Sequence, residues 1–288
     1  MATLRTVRDA VGAWIDRIGL EAPARLALAS FGLVILVFAG LLSLPQATQS
    51  GTRAPFIDAL FTATSAVCVT GLVTVDTGAY WSGFGQFVIV LAIKIGGLGI
   101  MTMASLLGLA VSRRIGLTQR ILAAGEARAT GLGDVRQLLR TIIIVSTATE
   151  VAIALAVFWR LLAHHEHLPT ALWHAIFYGI SSFNNAGFTP DPDGIVPFAG
   201  DPFFRIPIAA GVFIGGLGFP VYFNLMRAWR SPRTWSLHTK LTILMTVILS
   251  VISAALLALF EWNNPDTLGA YHPGTRFAQT MFISINQR

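Results

Sequence analysis

Five apolar runs dominate the pattern along the chain: residues 26–44, 83–112, 141–162, 206–226 and 241–260. The first, fourth and fifth carry no charge. The second carries only Lys94, and the third carries Glu150 and Arg160. A spanning helix needs about 20 apolar residues to cross ~30 Å of hydrocarbon, and each run is read as one. Between them lie shorter mixed segments at 55–72, at 171–189 and from about 275 onward, in which Thr, Ser, Asn and Gly interrupt the apolar residues. Each is marginal or too short to cross.

Composition agrees with that reading. Only 12% of residues are charged, against roughly 25% in soluble proteins, and the mean hydropathy is +0.68. A soluble fold of this size could not cover its surface with so few charges. One cysteine builds no disulfide framework. A net charge of +6 could suggest nucleic acid, but the basic residues cluster between the apolar runs, so no nucleic-acid partner is expected. The expected fold class is an all-α polytopic membrane protein, multi-pass in the cell membrane.

The basic residues also give an orientation. Arg5, Arg8, Arg17 and Arg25 precede the first run. Arg113, Arg114, Arg120, Arg128, Arg136 and Arg140 lie in 113–140, and Arg227, Arg230, Arg233 and Lys240 lie in 227–240. The region 163–202 has neither Lys nor Arg. Under the positive-inside rule the N-terminus is cytoplasmic. If 55–72 crossed fully, the arginine-rich loop would face outward, so the short segments are expected to be re-entrant from outside. The first run is too long for the apolar core of a secretory signal, and four more follow it, so it is read as a retained helix.

An internal repeat underlies the pattern. Ala59-Leu60-Phe61, Ser65 and Thr70-Gly71-Leu72 match Ala175-Ile176-Phe177, Ser181 and Ala186-Gly187-Phe188 at an offset of 116. Ile95-Gly96-Gly97-Leu98-Gly99-Ile100 returns at an offset of 119 as Ile214-Gly215-Gly216-Leu217-Gly218-Phe219. Each unit is then a helix, a re-entrant pore helix with a filter loop, and a helix. Two full crossings return the chain to its starting side, so successive units share one orientation, unlike inverted repeats. Such membrane–pore–membrane units arrange around a pseudo-symmetric pore.

The expected chemistry lies where the short segments turn, at Val67-Cys68-Val69-Thr70-Gly71 and Phe183-Asn184-Asn185-Ala186-Gly187. Non-helical backbone at membrane depth must line water or be buried in protein. Closely spaced peptide carbonyls can replace a cation's hydration shell. Neither stretch holds a carboxylate, and a divalent-ion cage would want them, so a monovalent cation is expected. The C-terminal end of each short helix adds negative potential there. The plain alternative is two helix hairpins that merely turn at glycine. Gly96, Gly97, Gly99, Gly215, Gly216 and Gly218 are expected on small-residue faces for helix packing.

These residues carry a resemblance. LFTATSAVCVTGLVTVDTGAYW with IGGLGIMT, and IFYGISSFNNAGF with IGGLGFPVYFNL, resemble the first two units of the Trk/Ktr/HKT superfamily of potassium transporters. SLHTKL and EWNNPDTLG fit the spacing of its Ktr-type membrane subunit. The resemblance implies four units around one pathway, a filter glycine in each, potassium as the transported ion, and either passive or sodium-coupled uptake. It implies a homodimer, a cytoplasmic regulatory ring subunit that carries the nucleotide, and no directly bound cofactor. Gly71 resembles the potassium-preferring pattern, not the Ser of sodium-preferring relatives. The family would continue after Arg288 with a third filter and a fourth unit, so the chain is expected to be a fragment. A transport-inactive product is the alternative.

The expected organisation is a cytoplasmic segment 1–23, a first unit 24–112, a basic linker 113–140, a second unit 141–229, a linker 230–240 and an incomplete third unit 241–288. A charge at mid-membrane costs about 3 kcal/mol, so Lys94 is expected to face protein or water. It either lines the inner cavity, where it would oppose cation passage, or packs against a neighbouring unit with a partner such as Glu150, and the second is preferred. A proton-relay role for Glu150 is the lesser reading. His164-His165-Glu166-His167 suggests a metal cluster but lies at a span end without further ligands at suitable spacing, so no metal site beyond the transported potassium is expected. Without a paired carboxylate or a metal triad at membrane depth, an intramembrane enzyme is disfavoured. Cys68 has no activating base near it in sequence. The loop 113–140 either fixes topology or also meets anionic lipid or an acidic partner. Trp14, Trp81, Trp159, Trp173, Trp229, Trp235 and Trp262 are read as interfacial anchors.

Overall fold

The computed structural model describes residues 23–114, 132–164 and 167–286. Helices α1 (Pro23–Leu42), α2 (Phe56–Val67) and α3 (Gly83–Arg114) form the first unit. Helices α4 (Leu132–Ala163), α5 (Leu168–Phe183) and α6 (Pro202–Gly216), continued by α7 (Phe219–Ala228), form the second. Helices α8 (Leu237–Glu261) and α9 (Pro273–Asn286) follow. No strand is present among the described residues, only an isolated bridge between Thr48 and Trp81.

Local chemistry sets the boundaries. α1 stops where Ser43 Oγ donates back to the Ala39 carbonyl at 2.7 Å, two residues before Pro45, which disfavours helical backbone at Leu44. Pro169 and Pro202 stand in first turns, where a missing N–H costs nothing. The Asp201 side chain accepts from Phe203 N at 3.0 Å and Ser236 Oγ from Thr239 N at 3.2 Å, capping α6 and α8.

Within the first unit α2 packs on both α1 and α3; within the second α5 packs on α4 and α6; α9 lies on α8 and α6. One buried cluster centres on Phe38, Leu42, Trp81, Ile89 and Ile93, and draws in Phe177, Ala186 and Phe188 from the second unit. Another centres on Val157, Leu161, Tyr178, Phe183 and Phe204, and takes Phe282 from α9. The second unit therefore lends residues to the first unit's core, and α9 lends one to the second unit's core.

Among the described residues three helices are long and apolar enough to cross a bilayer, over Gly83–Met103, Leu139–Ala163 and Leu237–Glu261. α1 contributes a shorter apolar piece, Leu28–Leu42. The apolar faces of α8 are largely exposed, Leu244, Leu249, Val251 and Leu259 among them.

The run 206–226 is not the single straight span its hydropathy predicts. α6 and α7 meet at 95° across a break at residues 217–218. Pro220 has no N–H to offer the Gly216 carbonyl and its ring would crowd that carbonyl in a continued helix. Gly218 takes φ 78° at the corner, and the Tyr222 hydroxyl donates to the Ile214 carbonyl across it. The matching stretch around Gly99 has Ile100-Met101 instead of Phe219-Pro220, and α3 runs through unbroken. Trp81 also departs from expectation. It is fully buried in the first unit's core, whereas Trp159 and Trp229 are exposed. Trp14 and most of the basic linker lie outside the described residues, although helix extends into both ends of 113–140.

Candidate functional site

The two short helices end alike. Cys68 N donates to Thr64 O, Val69 N to Ala66 O and Thr70 N to Ser65 O, at 2.9, 3.2 and 2.8 Å. In the second unit Asn184 N donates to Ile180 O, Asn185 N to Ser182 O and Ala186 N to Ser181 O, at 3.1, 3.1 and 2.8 Å. Val69 and Asn185 stand at φ 54° and 56°, and Gly71 and Gly187 at 79° and 73°. One turn geometry is thus built twice. Asn tolerates left-handed backbone, but Val does so only under strain.

The two turns also touch. A Cβ on Gly71 would lie 2.3 Å from the Ala186 carbonyl oxygen. Gly71 is therefore required twice over, by its φ and by its neighbour. Behind each turn, the next helix presents a glycine to the end of the short helix. A Cβ on Gly96 would lie 2.0 Å from the Val67 oxygen, and one on Gly215 would lie 1.7 Å from the Phe183 oxygen. The glycine repeat thus serves close packing of α3 and α6 against the turns. Gly99 sits beside the Phe31 ring. Gly218 differs: it forms the α6–α7 corner, with no packing partner closer than 3.9 Å.

The second turn is the more tightly bound. With its amide oriented by its partners, Asn185 donates to Val212 O at 3.2 Å and accepts from Gly216 N at 3.3 Å. That pair is what an unbroken helical ladder would join directly, so the side chain sits just where α6 ends. Beyond the turn, Ser181 Oγ donates to Phe188 O at 2.7 Å, and the Tyr178 hydroxyl donates to Asp191 Oδ2 at 2.6 Å. Trp173 Nε1 donates to Gln86 Oε1 at 2.8 Å, joining the units near the same segment. In the first unit the buried Ser65 hydroxyl has no partner among the described residues, although it is the counterpart of Ser181.

Lys94 and Glu150 find each other. Lys94 Nζ lies 2.7 and 2.6 Å from the Glu150 carboxylate oxygens and donates to Ser146 Oγ at 3.1 Å. Glu150 is 5% exposed. Its Oε1 also accepts from Asn184 Nδ2 at 3.1 Å. Charges within apolar runs suggest the pair but not the third member, since nothing in a sequence shows which way an Asn side chain at a turn will point.

At the far end of α4, Asp201 Oδ2 accepts from Arg160 Nε and lies 2.8 Å from His164 Nε2. Burial alone would raise this carboxyl, but the hydrogen bonds from His164 and Arg160 outweigh it and hold Asp201 below the usual carboxylate range. His164 is thus engaged with a cap. His165 and Glu166 lie outside the described residues, and no cluster of three metal-ligating side chains occurs among the described ones. Cys68 is exposed at its turn.

The family profile TrkH, described as a cation transport protein, matches residues 31–285. The chain belongs to this TrkH cation transport family. It is 37% identical over 266 residues to Ktr system potassium uptake protein B of Bacillus subtilis, covering 92% of this chain and 59% of that protein. It is 36% identical to the protein of the same name from Vibrio alginolyticus, and 34% identical to the potassium/sodium uptake protein NtpJ of Enterococcus hirae, covering 92% of this chain and 58% of each. The chain spans about three-fifths of the length of these relatives. Its fold is similar to the crystal structure of the potassium transporter TrkH from Vibrio parahaemolyticus. The TM-score is 0.59 at 18% identity, over 89% of this chain and 50% of that one. These relatives are named as transporters, not enzymes.

Proposed function

We propose that this chain supplies two filter loops of a potassium-uptake pathway, residues 67–71 and 183–187, whose peptide carbonyls hold the dehydrated ion. The observation that carries the reading is the twin turn: φ near 55° at Val69 and Asn185 and above 70° at Gly71 and Gly187, with the two turns in contact. Four successive peptides that alternate in this way can expose several carbonyls on one side, as a monovalent cation needs. No carboxylate lies in either loop. α2 and α5 aim their negative ends at the same place, which favours a cation over an anion. The relatives named as potassium uptake proteins support potassium as the ion.

In this reading α2 and α5 are re-entrant pore helices, the N-terminus is cytoplasmic, and the sequence-derived units 24–112 and 141–229 are functional units of one pore. The membrane subunit works as a homodimer, surrounded by lipid. A cytoplasmic ring subunit that carries the nucleotide docks on the face bearing 113–140. Sodium coupling, which the name potassium/sodium uptake protein of one relative suggests, is a separable property of the same path.

The test is potassium uptake by the intact transporter in cells that lack other uptake systems, with Gly71 or Gly187 replaced by Ala. Expected is growth at low potassium with the native protein, and uptake reduced by at least about tenfold in each variant at equal membrane abundance. Native-like uptake in both variants would overturn the reading.

A further inference from the structure

The Lys94–Glu150–Asn184 chain lies where the internal repeat is broken. An offset of 116 pairs Glu150 with Val34 and Asn184 with Cys68, and an offset of 119 pairs Lys94 with Phe213. No member has a chemical counterpart in the other unit. A purely structural ion pair would be complete with Lys94 and Glu150 alone. Here the carboxylate also accepts from the side chain of the residue that ends α5 and opens the second turn.

Asn184 is held on every side. It is 7% exposed, and its Nδ2 donates to Glu150 Oε1 at 3.1 Å and to Ile180 O at 2.8 Å. Its Oδ1 is pressed against α3, where a Cβ on Gly97 would be only 2.1 Å away. Gly97 adjoins Gly96, which receives the end of the first short helix. One stretch of α3 therefore touches both turns and, through Lys94 three residues before Gly97, fixes the acceptor that holds the second.

We infer that Lys94 and Glu150 are positioning residues that act through the Asn184 amide to fix the second filter loop and so set discrimination between potassium and sodium. This rests on the reading of 183–187 as a filter. Discrimination needs carbonyls held at a spacing or field suited to one ion. The peptide between Asn184 and Asn185 leads into left-handed backbone, a conformation that persists only where its surroundings over-determine it. Lys94 neutralises Glu150 without taking all of its acceptor capacity, leaving a lone pair on Oε1 for Asn184. If that acceptor is lost, Asn184 is free to change rotamer, the turn relaxes, and a smaller ion is accommodated as well.

The experiment compares three variants of the intact transporter, reading the ratio of potassium to sodium uptake at matched membrane abundance. K94M/E150L removes both charges and the acceptor. K94Q/E150Q removes the charges but keeps a carbonyl oxygen for Asn184. N184L keeps the ion pair and removes the donor. Expected is a fall in the ratio of about tenfold in K94M/E150L and in N184L, with K94Q/E150Q within about twofold of native. Combining N184L with K94M/E150L should add nothing further, because both act on one contact. The potassium-minus-sodium difference in melting temperature of the purified protein should follow the same order.

A native ratio in K94M/E150L or in N184L overturns the inference, as does strict additivity of their losses. Should K94M/E150L fail to reach the membrane, N184L against K94Q/E150Q decides alone. Absence of potassium uptake by the native protein would instead remove the functional reading, a result distinct from uptake that persists with an unchanged ratio.

Discussion

The Ala186 carbonyl oxygen occupies the space where a side chain on Gly71 would begin, 2.3 Å from its Cβ position. Residues 115 apart in sequence thus form one wall, and each loop limits what the other can carry. A Cβ on Gly187, by contrast, would meet Gly71 Cα at 3.5 Å, an ordinary contact. The two glycines are equivalent in φ but not in surroundings.

Gly71→Ala should therefore harm folding more than Gly187→Ala. Both pay for left-handed backbone, about 1 kcal/mol, but only the first also displaces a carbonyl. Melting of the detergent-purified protein should show the larger loss for Gly71→Ala. Equal losses would mean that the loops do not touch.

Val69→Asn should stabilise. Val is β-branched and stands at φ 54°, whereas its counterpart Asn185 is of a type that accepts φ 56°. The substitution should gain up to ~1 kcal/mol. A fall in melting temperature would mean that the Val69 side chain contributes more by packing than its backbone costs.

Cys68, the single cysteine of the chain, is exposed at the first turn. A membrane-impermeant thiol reagent applied from outside should label it and block uptake, and potassium should slow the labelling several-fold over choline. Cys68→Ser should transport normally and resist the reagent. Labelling only from the cytoplasmic side would reverse the assumed orientation.

Asp201, held below the usual carboxylate range by His164 and Arg160, makes a pH-dependent contribution. A lowered folded value means that the unfolded chain takes up protons first. The stabilisation is present in full above about pH 4–5 and is lost as pH falls through the folded value. Asp201→Asn should melt about 2–4 °C lower than native near neutral pH, with the difference shrinking below pH 4. A constant difference across that range would assign the effect to something other than the Asp201 charge, since Asn can still cap Phe203 N.

How far the sequence reached differs from residue to residue. Lys94 and Glu150 are legible as a pair because Lys94 is the one charge in its apolar run and Glu150 the one acid in its own, and such charges must find partners. Asn184 as their third member was not, because its side-chain direction follows from how α3, α4 and α5 cross. The turn at Gly71 was legible from its repeat at Gly187, whereas left-handed backbone at Val69 runs against residue preference and emerges only from the fold. The break in α6 had a local signal in Pro220, hidden beneath an apolar pattern that hydropathy reads as one span. Trp81 lies near a span end and reads as an anchor, but its backbone bridges to Thr48 and its side chain is buried in the first unit's core.

What the sequence determined by itself was the helical class, the two-unit repeat and the glycine-bearing turns, because apolar period, charge placement and glycine are local properties that a bilayer constrains strongly. What only the tertiary structure decided was the meeting of the two turns, the asymmetric strapping of the second, and the link from Lys94 to Asn184. Those depend on contacts between segments far apart in the chain, and such contacts are fixed by how helices pack rather than by what any one of them contains.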